Sequence, residues 1–221
     1  MNGKPVTRKS ATTRQRIVQA AERLFAQKGF KAMTLRDVTR EARVNLAAVN
    51  YHFGTKRDLI REVVRSRFEP INEARIQRLN ESIERHSPDP VPVREIFEAL
   101  FHPLFDSANT RRGPDRVLMQ MIGRSLSEPA DFLREMHEEF FAGLSQRFLM
   151  ELKRSQPQLS DAALQYRFFF SVSTMLGAIS DQVRLGMISR NRIDSTNIKT
   201  LVDELVAFVA AGFTQSDGNA R

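Results

Sequence analysis

The chain contains no cysteine, which excludes disulfides, thiolate metal sites and a thiol nucleophile and fits a reducing compartment. Long apolar runs are missing as well. The most hydrophobic stretch, residues 168–179, is interrupted by Ser171, Ser173 and Thr174 and falls short of the ~20 residues that cross a bilayer. Residues 1–16 carry charge without an apolar segment, so no secretory signal is read there. A cytoplasmic protein with no membrane partner is expected. Glycine and proline number only 10 and 9 in 221 residues, too few for a collagenous or low-complexity chain. No segment sustains the period-two alternation of a half-buried strand, and no internal repeat is present.

Signatures of catalysis are absent too. There is no phosphate-cradling glycine-rich loop and no dinucleotide fingerprint, and His137-Glu138-Glu139-Phe140-Phe141 lacks the second histidine of a zinc-binding helix. Glu138 and Glu139 are neighbours on a helix, so their carboxylates point in different directions. Neither an enzyme nor a cofactor is expected.

What the chain has is basic charge, and it lies at one end. Residues 1–67 hold 16 Lys and Arg against 5 Asp and Glu, a net of +11, whereas residues 68–221 hold 18 against 21, a net of −3, which together give the overall +8. Such asymmetry suits an N-terminal module that meets a polyanion, joined to a body that does not. A chance excess of solvated lysines and arginines would give the same numbers.

Hydrophobic periodicity supplies the architecture. Ile17, Ala20, Ala21, Leu24 and Phe25 fall on one face of a helix over residues 12–28, stopped by Gly29. Thr34 with Asp37 opens a short second helix in which Leu35, Val38 and Ala42 face inward. Arg43 and Val44 make a tight turn, Asn45 caps a third helix reaching Phe53, and Gly54 closes it. Thr55 with Asp58 then starts a long helix running past Ile83, with a kink expected at Pro70. Loops are expected at 86–92 and 106–115, and further helices at 93–105, 115–126, 130–153, 161–188 and 196–213. The fold class is all-α: an N-terminal three-helix helix-turn-helix unit, residues 1–57, followed by a helical body, residues 58–221, which the resemblance described next implies to be a ligand-sensing and dimerisation domain.

The run from Thr34-Leu35-Arg36-Asp37 through Asn45-Leu46-Ala47-Ala48-Val49-Asn50-Tyr51-His52-Phe53-Gly54 to Thr55-Lys56-Arg57-Asp58-Leu59 resembles the DNA-binding signature of the TetR family of transcriptional regulators. Ala20-Ala21-Glu22-Arg23-Leu24-Phe25 and Gly29-Phe30 fit the preceding helix, so the resemblance covers residues 12–64. It departs at Arg43, where the family usually has glycine, and at Asn50, where it usually has tyrosine. A non-glycine residue in a left-handed turn costs on the order of 1 kcal/mol.

The resemblance implies a homodimeric repressor that grips double-stranded operator DNA and releases it when a small apolar effector binds. Val44, Val49 and Phe53 would anchor the recognition helix on Leu24, Phe25 and Val38. Asn45, Leu46, Ala47, Ala48 and Asn50 would face the major groove, where asparagine pairs with adenine and Ala or Leu meets a thymine methyl. Asn45 serves equally as a cap. Arg36 either reaches a guanine or is a solvated surface arginine, while Thr34, Tyr51, His52 and Lys56 would contact phosphates. The segment Asn45–Phe53 is also similar to the recognition helices of family members that answer to long-chain fatty acids, which implies a fatty acid or acyl-CoA as inducer. A non-specific architectural DNA-binding protein is the alternative.

In the body, Phe168 to Phe170, Met175, Leu176 and Ile179 make a helix apolar nearly all round. With the stripe of Leu201, Leu205, Val209 and Phe213 it suggests a dimer formed by the last two helices. Phe101, Phe105, Met119, Ile122, Met136 and Phe140 are candidates to line an apolar effector pocket. Each would serve equally as ordinary core.

Overall fold

The computed structural model describes the backbone of residues 7–110, 113–125 and 127–215, and the side chains of residues 13–109, 115–125 and 127–215. Leu126, the expected end of one helix, lies outside the described residues, as do Arg111 and Arg112 of the second loop and six residues at each end of the chain.

Among the described residues the fold is all-α, with eleven helices. Helix α1 (Thr7–Ala32) buries Ile17, Ala20, Ala21, Leu24 and Phe25 along one face. It breaks at Gly29, whose φ of 77° suits glycine and few other residues. Helix α2 (Leu35–Ala42) opens with the full Thr34–Asp37 capping box and closes at Arg43, which is left-handed at φ 53°, ψ 52°. Helix α3 (Leu46–Phe53) follows after the Asn45 cap and ends at Gly54. Helix α4 (Lys56–His86) is capped by Thr55 and runs 31 residues without interruption.

Pro70, where a kink is expected, lies inside α4, which continues through it. Both Pro70 and Ser66, four residues earlier, lie on the exposed side, so the carbonyl that the proline leaves unbonded faces water. Helix α5 (Val93–Ala108) likewise continues through Pro103, extending into the expected second loop. That loop also holds a short antiparallel pair, β1 (Asn109–Thr110) and β2 (Gly113–Pro114).

Helix α6 (Arg116–Ser125) is next. Two helices expected to be continuous are split. The span 130–153 divides into α7 (Ala130–Phe140) and α8 (Ala142–Ser155) because Phe141 leaves the helical region at φ −128°, ψ −21°. Tertiary partners hold that break. Asn72 Nδ2 donates to the Phe140 carbonyl at 2.8 Å, and the Phe141 ring meets Phe68 edge-on at 5.4 Å. The span 161–188 divides at Asp181 into α9 (Asp161–Ser180) and α10 (Gln182–Ser189), and the Asp181 carboxylate caps α10 by accepting from Arg184 N at 3.2 Å. Helix α11 (Ile198–Thr214) completes the chain.

Two hydrophobic clusters organise these helices. The larger joins α5 to α4, α8, α9 and α11 around Phe97, Phe101, Phe105 and Phe213; burial of each such ring contributes about 2–3 kcal/mol. The smaller is the core of the three N-terminal helices. It also takes in Val63 and Val64 of α4, Met121 of α6, and Phe132 and Met136 of α7. Helix α4 begins at Lys56 and carries the chain from the smaller cluster into the larger, and α7 packs on the smaller from the body side. Among the described residues no helix is long and apolar enough to cross a membrane.

Candidate nucleic-acid interface and effector body

The recognition surface begins with its anchors. Val49 is buried at 1% exposure, Val44 and Phe53 pack partly buried beside it, and all three belong to the cluster of Leu24, Phe25 and Val38. Helix α3 is thereby fixed on one side. Its other side presents Leu46, Ala47, Asn50 and Tyr51 to solvent, with Ala48 and His52 half-buried at the edge. Tyr51 is 85% exposed and Leu46 45%, an unusual investment of apolar surface in water beside such a tightly packed core.

Asn45 Oδ1 accepts from Ala48 N at 2.8 Å, so its side chain acts as the cap. Thr34 is similarly engaged, accepting from Asp37 N at 3.1 Å and donating to Asp37 Oδ2 at 2.9 Å. That hydroxyl bond, with Lys28 adding to it, holds the Asp37 carboxyl below its ordinary value. Asp58 is held down in the same way by the Thr55 hydroxyl. Arg36 is exposed and forms no ion pair among the described residues. Its guanidinium is available to a ligand.

Lys56, expected as a phosphate contact, is held within the chain. Its ammonium donates to the carbonyls of Phe30 at 2.7 Å and Met33 at 2.9 Å and lies 4.5 Å over the Phe30 ring. Burial draws it below the ordinary lysine value, with Glu128 acting in the opposite sense. Lys56 therefore ties the start of α4 to the α1–α2 corner. Two further arginines complete the frame, of which Arg16 carries no signal in the sequence pattern. Arg16 donates to the carbonyls of Ala42 and Arg43, closing the end of α2, and Arg43 projects from the turn, exposed. A basic residue in the left-handed turn position was the available signal.

The body reaches this module at a second place. Glu128 Oε1 accepts from Phe30 N at 2.9 Å, Arg124 donates to the Gln27 carbonyl at 2.8 Å, and the rings of Phe30 and Phe132 stack at 4.5 Å. Glycine is favoured here by its φ of 77°; a Cβ would in addition meet the flexible end of Glu128 and displace it. Along α4 and α7, Arg57 pairs with Asp131 and Glu135, Arg61 with Glu135 and Glu139, and Arg65 with Glu139.

The six pocket candidates are scattered. Phe101, Phe105 and Ile122 lie in the larger core at 0%, 0% and 2% exposure, and Met119 packs partly buried against it. Met136 belongs to the other core. Phe140 alone of the six lines a cleft of about 790 Å³ between α4 and the α7–α8 corner, together with Asn72, Ile76 and Leu144.

Exposed apolar side chains gather on the last helices: Tyr166, Phe169 and Phe170 on α9, Val183, Met187 and Ile188 on α10, and Phe208 on α11. Leu205, in contrast, faces the core at 5% exposure.

Residues 17–63 match the family model of the N-terminal region of "bacterial regulatory proteins, tetR family", and residues 98–212, over half of the chain, match the "tetracyclin repressor-like, C-terminal domain". The chain is 32% identical over 111 residues to the transcriptional regulator AcrR of Shigella flexneri, covering 50% of this chain and 47% of that one. It is also 32% identical over 100 residues to TtgR of Pseudomonas putida, covering 45% and 46%. It thus spans about half the length of these curated relatives. In fold it is similar to the fatty acid degradation regulator FadR of Bacillus halodurans, with a TM-score of 0.65 at 16% identity over 97% of this chain and 100% of that one. With its helix-turn-helix and its body both matched, the chain belongs to the TetR family.

Proposed function

We propose that this protein is a ligand-responsive transcriptional repressor that binds operator DNA as a homodimer and lets go when a small apolar effector, such as a fatty acid or acyl-CoA, enters its body. The observation carrying this reading is the outer face of α3. Leu46, Asn50 and Tyr51 stand in water on a helix whose other side packs through Val49 and Phe53, and Arg36 of α2 is exposed as well. Such side chains fit base edges and phosphates of a major groove.

Residues 1–57 supply the DNA-binding unit and residues 58–221 the sensing and dimerising body. In the DNA-binding unit Arg36, Leu46, Ala47, Ala48 and Asn50 read bases, Tyr51 and His52 meet phosphates, and Thr34 and Asn45 present the helix N-termini. The exposed aromatic side chains of α9 and α11 form the dimer face. Two recognition helices must then reach half-sites about 34–36 Å apart. The fatty acid class is supported by the fold likeness to FadR of Bacillus halodurans, a fatty acid degradation regulator.

The test is selection of binding sites from random DNA, repeated with candidate effectors. The expected result is a palindromic site bound roughly 10³-fold or more tighter than random DNA, with affinity lowered by an effector. Enrichment of no sequence, with only a steep salt dependence, would identify an architectural DNA-binding protein instead.

A further inference from the structure

Arg75 is the most anomalous charge in the molecule. It sits on the inward stripe of α4 between Ile71 and Leu79, at 3% exposure, within the larger core. A guanidinium has five N–H donors and cannot shed its charge at ordinary pH, so a buried arginine is nearly always matched to a carboxylate. Here no carboxylate lies within ion-pair distance among the described residues. Nε donates to the Leu100 carbonyl at 2.8 Å, Nη1 donates to Asn72 Oδ1 at 3.0 Å, and Nη2 meets only Met175 Sδ at 4.0 Å, a weak acceptor. Burial alone, with no neighbouring charge, draws its pKa down to about 10. The planar fork is held in place by two oxygens, and its outer edge is left with thioether for company.

The position of Asn72 gives this charge a route to ligand. Asn72 lines the 790 Å³ cleft together with Ile76, Phe140 and Leu144, and its Oδ1 accepts from Arg75 Nη1, so one side chain touches both the cleft and the buried guanidinium. The cleft is also lined by Glu69, Glu73, Glu81 and Glu84, all exposed to water, and by Glu139, which is paired with Arg61 and Arg65. Exposed carboxylates are screened over a Debye length of about 8 Å. They tolerate one negative group that passes beneath them and disfavour a headgroup that stays among them with several.

We propose that Arg75 is the head-binding residue of an effector site for an amphipathic monoanion. The apolar chain lies along Ile76, Phe140 and Leu144, and the single carboxylate takes the place of Asn72 Oδ1 on the guanidinium. This rests on the reading of the body as an effector domain and narrows the effector to a free carboxylic acid rather than its polyanionic CoA thioester. The carboxylate supplies the planar, two-oxygen partner that the arginine fork matches.

The experiment is calorimetric titration of the full chain, without DNA, with dodecanoate, dodecanol, dodecylamine and dodecanoyl-CoA, on wild type and on Arg75→Met and Arg75→Lys. Removing an unmatched buried charge leaves an apolar core residue, so Arg75→Met should keep its melting temperature. Should that variant nevertheless fail to fold, Arg75→Lys carries the same comparison, retaining charge without the fork. Wild type is expected to bind dodecanoate about tenfold or more tighter than dodecanol, the effect of one charge-assisted hydrogen-bonded pair. Dodecanoyl-CoA should bind more weakly than dodecanoate, and the preference for acid over alcohol should vanish in Arg75→Met and shrink in Arg75→Lys. Equal binding of acid and alcohol, a preference for the amine, a thioester as tight as the acid, or an undiminished acid preference in both variants would each overturn the proposal. Arg75-dependent dodecanoate binding that leaves operator affinity unchanged would support the site and refute the repressor-release reading instead.

Discussion

Lys56→Ala separates two physical roles for one cation. If the ammonium met DNA phosphate, its loss would cost no stability and would lower the salt dependence of DNA binding by about one counterion. The structure instead assigns it two hydrogen bonds to the carbonyls of Phe30 and Met33 and a place over the Phe30 ring. Hydrogen bonds from charged groups contribute about 1.5–3 kcal/mol each when buried. Lys56 is half-buried, so solvent discounts the pair to about 2 kcal/mol in total. For a chain of this length that corresponds to a fall in melting temperature of roughly 4–8 °C. Thermal denaturation followed by helical signal, together with operator titrations at several salt concentrations, reads both quantities. An unchanged melting temperature with a flattened salt slope would refute the assignment and restore the phosphate contact.

Arg36→Ala and Asn50→Ala should each cost about 1–3 kcal/mol on the preferred operator with little change on random DNA; equal losses on both, measured by competition titration, would remove them from base reading. Charge at Phe170 or Phe208, as Phe170→Glu or Phe208→Glu, should yield a folded monomer with poor operator binding, checked by sedimentation, and a dimer that persists in both variants would put the interface elsewhere. Glu135→Ala, which removes one carboxylate partner each from Arg57 and Arg61, should leave operator affinity nearly unchanged while reducing the fold-change that an effector produces; an unaltered fold-change would mean that α7 does not transmit it. Asp37 has a carboxyl held below its ordinary value of 3.8 in the folded chain, so its contribution is complete above that pH and is lost as the pH falls through the lowered folded value. The gap in urea midpoint between wild type and Asp37→Asn should therefore close in acid below pH 3.8, and a gap that widened there would contradict the capping role.

Where structure is decided by neighbours in sequence, the sequence was readable. The caps Thr34, Asn45 and Thr55, each bonding a backbone N–H three residues on, and the stops Gly29 and Gly54 framed the helix-turn-helix within a residue or two. The left-handed Arg43 was foreseeable from the family's usual glycine. Breaks set by distant partners were not readable: the apolar pattern runs smoothly through Phe140, Phe141 and Leu144, and only Asn72, 68 positions away from the carbonyl it binds, shows why the helix ends. At Asp181 the signal was present, a capping residue after Ser180, but the apolar stripe on both sides outweighed it. Lys56 matched a motif position, and a motif does not say which carbonyls the ammonium meets within the chain. Phe101, Phe105 and Ile122 illustrate the same limit, because composition cannot distinguish core from cavity wall. Arg75 left a trace that was passed over: an arginine at the i+4 step of an apolar stripe from Ile71 to Leu79.

The division of the span 130–153 has a mechanical consequence for the proposed release. Had α7 and α8 been one helix, Phe132 and Phe148 would move as one rod and the N-terminal module would be braced to the larger core. With Phe141 non-helical, α7 is instead shared: Phe132 and Met136 pack in the N-terminal core, Asp131, Glu135 and Glu139 pair with the arginines of α4, and Phe140 faces the cleft. Helix α8 stays with the larger core through Phe148 and Leu152. Asn72 joins these parts, since it holds the Phe140 carbonyl with one end of its amide and Arg75 with the other. An effector that displaces Asn72 from Arg75 thus acts on the residue that secures the end of α7. The other end of α7 adjoins Glu128, which grips Phe30 just before the second helix. Coupling can extend only as far as the effector prefers one arrangement of α7 over the other, and about 1–3 kcal/mol of such preference is typical of allosteric proteins. That is within reach of a single rearranged charge-assisted hydrogen bond, so the Asn72 amide is a sufficient point of control and no larger reorganisation of the core is required.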